Sequence, residues 1–246
     1  VNLERNKKNN MKTAVITYLM GDNDKLLEPH YINETWDLVC FTNKKDLKSK
    51  NWNVVFVEDK EKEMNDKRFA NFFKFNPFQS LYSAFQVNYD ICITIDANVR
   101  IVKDLDKIVS FYCPTLYDIT LAQHPIRNCV LEECNAIVGE EKDTKEAVAQ
   151  NIKLFHQNKY PTKNGLYQTT IMIWKNTQAT QILSSEFWKL YCNMSERDQI
   201  LLPYVIWKNK NINIIQTKWK DFEEEFDYLE HYTKEKKDEK PLIKTK

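Results

Sequence analysis

Short apolar, β-branched runs alternate along this chain with longer stretches whose apolar side chains recur every three or four positions. That alternation restricts the fold more than any other feature. Strand-like runs occupy 13–19, 38–41, 53–57, 91–101, 118–122, 169–174 and 212–215, and most are bounded by polar or turn-forming residues. Several are continuously apolar, as in strands covered on both faces. Helical spacing is found over 61–73, 77–85, 104–112, 144–155, 179–191 and 197–207, with Pro77 placed to open one helix and Ser195 to cap another. Strands alternating with helices of this length predict an α/β fold, with a mainly parallel central sheet and helices on both faces. No repeat and no Gly/Ser/Pro-rich linker divides the 246 residues, so a single domain is expected.

Glycine is scarce, at Gly21, Gly139 and Gly165 only, which removes glycine-rich phosphate loops of the GxGxxG and Walker types. A formal charge of +1, from 36 basic and 35 acidic residues, gives no global field toward nucleic acid or an anionic membrane. The six cysteines form no CxxC pair, and Cys40 and Cys92 sit inside strand-like runs; reduced core cysteines and a cytoplasmic location are expected. Residues 1–10 are charged, with no apolar h-region after them, and read as a disordered leader before Met11. Residues 234–246 read as a charged tail. No run is long and apolar enough to span a bilayer, which leaves room only for peripheral association.

In open α/β sheets ligands bind outside the carboxyl ends of the strands. Those ends carry Tyr18 with Gly21-Asp22, then Thr42-Asn43, Asp96-Ala97-Asn98, and His124-Pro125 followed by Arg127. Asp96 and Asn98, at i and i+2, suit a hard divalent cation completed by phosphate oxygens and water. The same pair also reads as an Asx turn closing a buried strand. Arg127 offers a bidentate donor beside the His124 imidazole, and Glu132 or Glu133 can serve as a general base or accept from a sugar hydroxyl. Asp198 lies in the first turn of its helix, an ordinary place for an acid. Lys67, Arg68 and Lys74 cluster on one helical stretch and suit either a diphosphate or a solvated face, and Gly165 suits a turn needing positive φ. His231 is a candidate metal ligand; His30 and His156 have no evident partners.

The order of these motifs resembles a family of plant and bacterial GT-A-type glycosyltransferase-like domains, long catalogued as a domain of unknown function. Its plant members include Golgi proteins linked to mucilage polysaccharide. The likeness is carried by ITYLMGDNDKLLEP (16–29), DLVCFTN (37–43), NWNVVFVE (51–58), ITIDANVRI (93–101), AQHPIRNCVLEEC (122–134), NGLYQTTIMIWKN (164–176) and ERDQILLPYVIWK (196–208). The resemblance implies a GT-A, Rossmann-like domain over 11–233, with a nucleotide-sugar half near 11–122 and an acceptor half near 123–233. It also implies a nucleotide-diphosphate sugar donor, UDP-sugar first among them, a glycan or lipid-linked acceptor, and assistance from Mn²⁺ or Mg²⁺.

On this pattern Asp96, Asn98 and His231 hold the metal, while Tyr18, Thr42, Asn43, Arg68, Lys74 and Asp96 face the donor. His124, Arg127 and Gly165 line the sugar and acceptor side, and Glu133, Glu132 or Asp198 is the base. Asn98 replaces the last acid of the family's D-x-D, and FFKFNPFQ (72–79) departs from its basic, histidine-containing stretch. The other readings of these residues are a nucleotidyltransferase-like enzyme and a non-catalytic nucleotide- or sugar-binding module.

Overall fold

The computed structural model describes residues 11–22, 24–59 and 64–229; the expected leader, the charged tail and His231 lie outside them. β1 (Thr13–Leu19) is flanked on one side by β2 (Trp36–Thr42) and β3 (Asn53–Phe56), all parallel. The chain then returns to the other side of β1 as β4 (Ile91–Asp96), again parallel. Beyond it stand β7 (Tyr167–Lys175), β6 (Ile119–Gln123) and β8 (Ile214–Lys218), giving the order β3-β2-β1-β4-β7-β6-β8. β7 runs antiparallel to both its neighbours, so the sheet is mixed although mostly parallel. The expected α/β class holds.

β1 shows why these residues form a covered strand. Ala14, Ile16 and Tyr18 pack on one face with Phe69, Phe73 and Leu81, while Val15 and Leu19 pack on the other with Leu38, Ile93 and Leu105. Side chains alternate across a strand, so a continuously apolar run needs a partner layer on each side. α1 (Asp66–Phe75) and α2 (Pro77–Phe85) cover the first face, and α3 (Leu105–Tyr112) the second. A third apolar cluster joins β6 and β7 to α4 (Val130–Gly139), α5 (Lys145–Gln157), α6 (Gln178–Tyr191) and α7 (Asp198–Lys208), around the fully buried Trp174.

Several boundaries differ from the sequence reading, each for a local reason. α1 begins at Asp66 because Asn65 caps it, its side chain accepting from the Arg68 amide. α7 is preceded by Arg197, without a side-chain cap; Ser195 instead turns inward, its hydroxyl 2.5 Å from Asp143 Oδ2. The stretch 91–101 is not one strand. It breaks at Ala97-Asn98, and β5 (Val99–Ile101) leaves the main sheet to pair antiparallel with β9 (Phe226–Tyr228). That strand follows α8 (Trp219–Glu223).

Candidate active site

The chain runs from β1 outward to β3 and comes back at β4, so the order reverses between β1 and β4. Tyr18 and Asp96 stand opposite each other in register at the carboxyl ends of those two strands. A crevice outside such a reversal is where ligands enter open α/β sheets. Here it opens into a cleft of about 810 Å³, lined among others by Tyr18, Lys74, Asp96, Thr169 and Asp198. A larger hollow of about 990 Å³ lies elsewhere, between the β5–α3 region and α8, without comparable strand-end chemistry.

The cleft floor is a buried ion network. Lys74 Nζ lies 2.8 Å from Asp198 Oδ2 and 3.2 Å from Asp96 Oδ1. It also donates to Thr169 Oγ1 at 3.2 Å, and that hydroxyl donates to Asp198 Oδ2 at 3.0 Å. Tyr18 donates its phenol proton to Asp96. Burial alone would push the Lys74 ammonium down, but the charges of Asp198 and then Asp96 outweigh it and hold it above its ordinary range. Burial would likewise raise the Asp198 carboxyl, and Lys74 overrides it and keeps the acid ionised. Burial first, then the Asp96 charge, hold the Tyr18 phenol neutral. Thus Asp198 is a fixed negative charge rather than a ready proton acceptor. This is not the free base expected at that position.

Helix α1 supplies the cleft wall through Lys67, Ala70, Asn71 and Lys74, which recur at i, i+3, i+4 and i+7 on one face. Arg68 falls off that stripe. Its guanidinium donates to the carbonyls of Tyr191 and Met194, pairs with Glu196 at 3.4 Å and stacks over the Tyr191 ring. It therefore ties α1 to the α6–α7 connection instead of facing the cleft. Thr42 is fully buried and donates to the Leu19 carbonyl at 2.7 Å. Asn43 accepts from the Gly21 amide and donates to Asp66 Oδ1 at 2.9 Å. These two residues shape the rim without lining it. Gly21 has φ +63°, and a Cβ there would collide with the Asp66 carboxylate.

On the opposite wall Arg127 Nε donates to Glu133, which is 2% exposed. His124 Nδ1 accepts from the Arg127 amide at 3.0 Å, which leaves Nε2 facing Glu133 at 3.9 Å. Burial, opposed by Glu133 and reinforced by Arg127, lowers the His124 pKa, so the ring is neutral near physiological pH. Glu133 is thus committed to Arg127, while its neighbour Glu132 points to solvent, away from the cleft. Gly165 has φ +94° in the turn before β7 and does not line the cleft. The cleft also holds Thr169, Arg197 and Gln199, which the sequence reading did not single out as site residues. Gln199 donates to Gln168 at 2.6 Å. Arg197 and Gln199 flank Asp198 in the same helix-start motif, which is the signal that points to them, whereas Thr169 lies inside a strand and carries none.

The D-x-N turn does not present a ligand pair. Asp96 faces the cleft with its carboxylate already shared by Tyr18 and Lys74. Asn98 is 3% exposed, does not line the cleft, and donates through Nδ2 to the Leu229 carbonyl at 2.8 Å. Its Oδ1 is buried without a hydrogen-bond partner among the described residues. Among those residues no three His, Cys, Asp or Glu side chains gather as a cation site. The residues described therefore do not fit the divalent ion that the resemblance implies.

The sequence profile of the TOD1/MUCI70 glycosyltransferase-like domain matches residues 2–228, nearly the whole chain. The chain belongs to that family. No curated protein matches the sequence. Among solved structures, the apo form of WbbM, a bifunctional glycosyltransferase, aligns at 11% identity with a TM-score of 0.48. The alignment covers 84% of this chain and 39% of that one. Within this glycosyltransferase-like domain, the buried Lys74 network sits where the sheet order reverses.

Proposed function

We propose that the cleft transfers a glycosyl group from a nucleoside diphosphate sugar to a glycan or lipid-linked acceptor, in the manner of a GT-A enzyme. The observation that carries this reading is the ionised Asp198, fixed by Lys74 and Thr169 on the floor of a cleft at the β1/β4 reversal. Glycosyl transfer develops positive charge on the sugar ring and negative charge on the departing diphosphate. A preorganised carboxylate in a site of low dielectric stabilises the first of these without reorganising. Asp96, partly exposed at the end of β4, offers a second acceptor for donor hydroxyls, oriented by Tyr18 and Lys74.

Glu133, held by Arg127, positions the acceptor wall, and Asp198 serves as electrostatic stabiliser. This division of roles favours a mechanism that does not rely on an unpaired base. Thermal shift measurements with a panel of nucleoside diphosphates and their sugars test the reading, because a ligand of the native state raises its stability. Stabilisation by one nucleotide class, greater for its sugar conjugate, is expected. Equal, negligible shifts across the whole panel would contradict it.

A further inference from the structure

Resting on that reading, we propose that the donor's diphosphate is held by the chain's own cations, Lys67 and Arg197, without a requirement for a divalent ion at Asp96–Asn98. Both residues line the cleft, Lys67 from the first turn of α1 and Arg197 from the start of α7. The other cleft cations are already engaged: Lys74 by two aspartates, Arg127 by Glu133 and Lys142 by Glu140. Among the described residues Lys67 and Arg197 make no ion pair within salt-bridge distance, and Arg197 Nε is buried without a hydrogen-bond partner.

The charges of Asp198, Glu196 and Asp143 reach Lys67, but none of these acids forms an ion pair with it, and their oxygens are taken up by other donors. Asp198 is held by Lys74, Glu196 by Asn65 and Arg68, and Asp143 by the Ser195 hydroxyl and the Glu196 amide. Burial and then the Arg197 charge lower the Lys67 pKa, as expected of two cations facing one space. Two cations without a direct ion pair, facing one cleft, are suited to a dianionic group, and a diphosphate is the dianion that the proposed donor brings. The D-x-N turn offers no competing cation site, because Asn98 is buried and bound to the chain at Leu229.

Calorimetric titration of the full chain with UDP and with inorganic pyrophosphate, in EDTA and in Mn²⁺, tests this. Both probes are expected to bind in EDTA, with affinities within about threefold of those in Mn²⁺. Lys67→Ala and Arg197→Ala should each weaken binding by about tenfold, as for loss of one charge-assisted contact. The exposed Lys48→Ala serves as the charge control and should change nothing. Arg197→Gln backs up Arg197→Ala should the latter melt early when free. Binding seen only with Mn²⁺, or binding indifferent to both cation variants, would overturn the proposal while leaving the nucleotide reading intact. Pyrophosphate binding in EDTA without any response to UDP would support the cation pair and contradict the nucleotide reading. No binding of either probe under either condition would contradict both.

Discussion

Lys74 is the residue on which most of the site depends. Its ammonium is buried between Asp96 and Asp198, and removing one partner of such a cluster strands the others in a medium of low dielectric. Lys74→Met should therefore destabilise the fold by about 3–5 kcal/mol in urea unfolding. The pH dependence gives a sharper check. The Asp198 pKa in the fold lies below its ordinary 3.8, so its contribution is complete above that value and is lost as pH falls through the lower folded pKa. Lys74 is raised above its ordinary 10.5, so its share is present below that value and is lost as pH rises through the folded pKa.

The wild type should thus hold its stability from weakly acid to alkaline pH. In Lys74→Met the buried Asp198 carboxylate loses the charge that offsets its burial and takes up a proton more readily folded than unfolded, so stability should rise as pH falls from neutral. A variant that loses stability on mild acidification, as the parent does below pH 4, would show that the network is not coupled as described. Asp198 and Lys74 are both candidates in the sequence, Asp198 from its helix-start motif and Lys74 from the basic cluster of one helical stretch. Their mutual engagement is not legible there. They stand 124 residues apart (198 − 74), and no spacing rule connects them.

At the scale of elements, the β4–β5 junction separates what a motif implies from what a fold does with it. A D-x-N triplet after an apolar strand is equally compatible with a ligand pair and a polar turn. Here the turn sends Asp96 to the cleft and Asn98 inward to anchor β9. Asn98→Asp, which would restore a D-x-D, removes the donor to the Leu229 carbonyl and buries a charge. It is expected to cost about 2 kcal/mol or more of stability, with no gain in Mn²⁺ affinity by calorimetry. Tighter Mn²⁺ binding at unchanged stability would contradict this account of the turn.

The legibility of the elements followed their lengths and their partners. β1, β2 and β4 are continuous apolar runs that could be little else. The direction of β7 was hidden, since an apolar strand looks alike parallel or antiparallel. β9 and α8, with three and five residues, are too short to carry a period. α4 buries Val130, Cys134 and Ile137 at helical spacing, but its adjacent Glu132 and Glu133 read in sequence as functional acids rather than as part of a helix. Arg68 and Lys67 are adjacent in sequence and equally basic. Helical phase alone sends one to the cleft and the other to the α6–α7 connection.

For the whole molecule, the reversal of strand order between β1 and β4 fixes where chemistry can occur, and family membership says what kind to expect. The carboxyl ends of β1 and β4, the wall of α1 and the start of α7 meet at one place, lined by Lys67, Arg197 and the fixed carboxylate of Asp198. On the proposed mechanism this carboxylate assists donor cleavage. The most direct measurement is release of nucleoside diphosphate from its sugar conjugates by the wild type and by Asp198→Asn. That change preserves shape and leaves Lys74 paired with Asp96. The variant is expected to keep its fold and to release the diphosphate about 100-fold more slowly or worse. Release by Asp198→Asn at the rate of the wild type would contradict it.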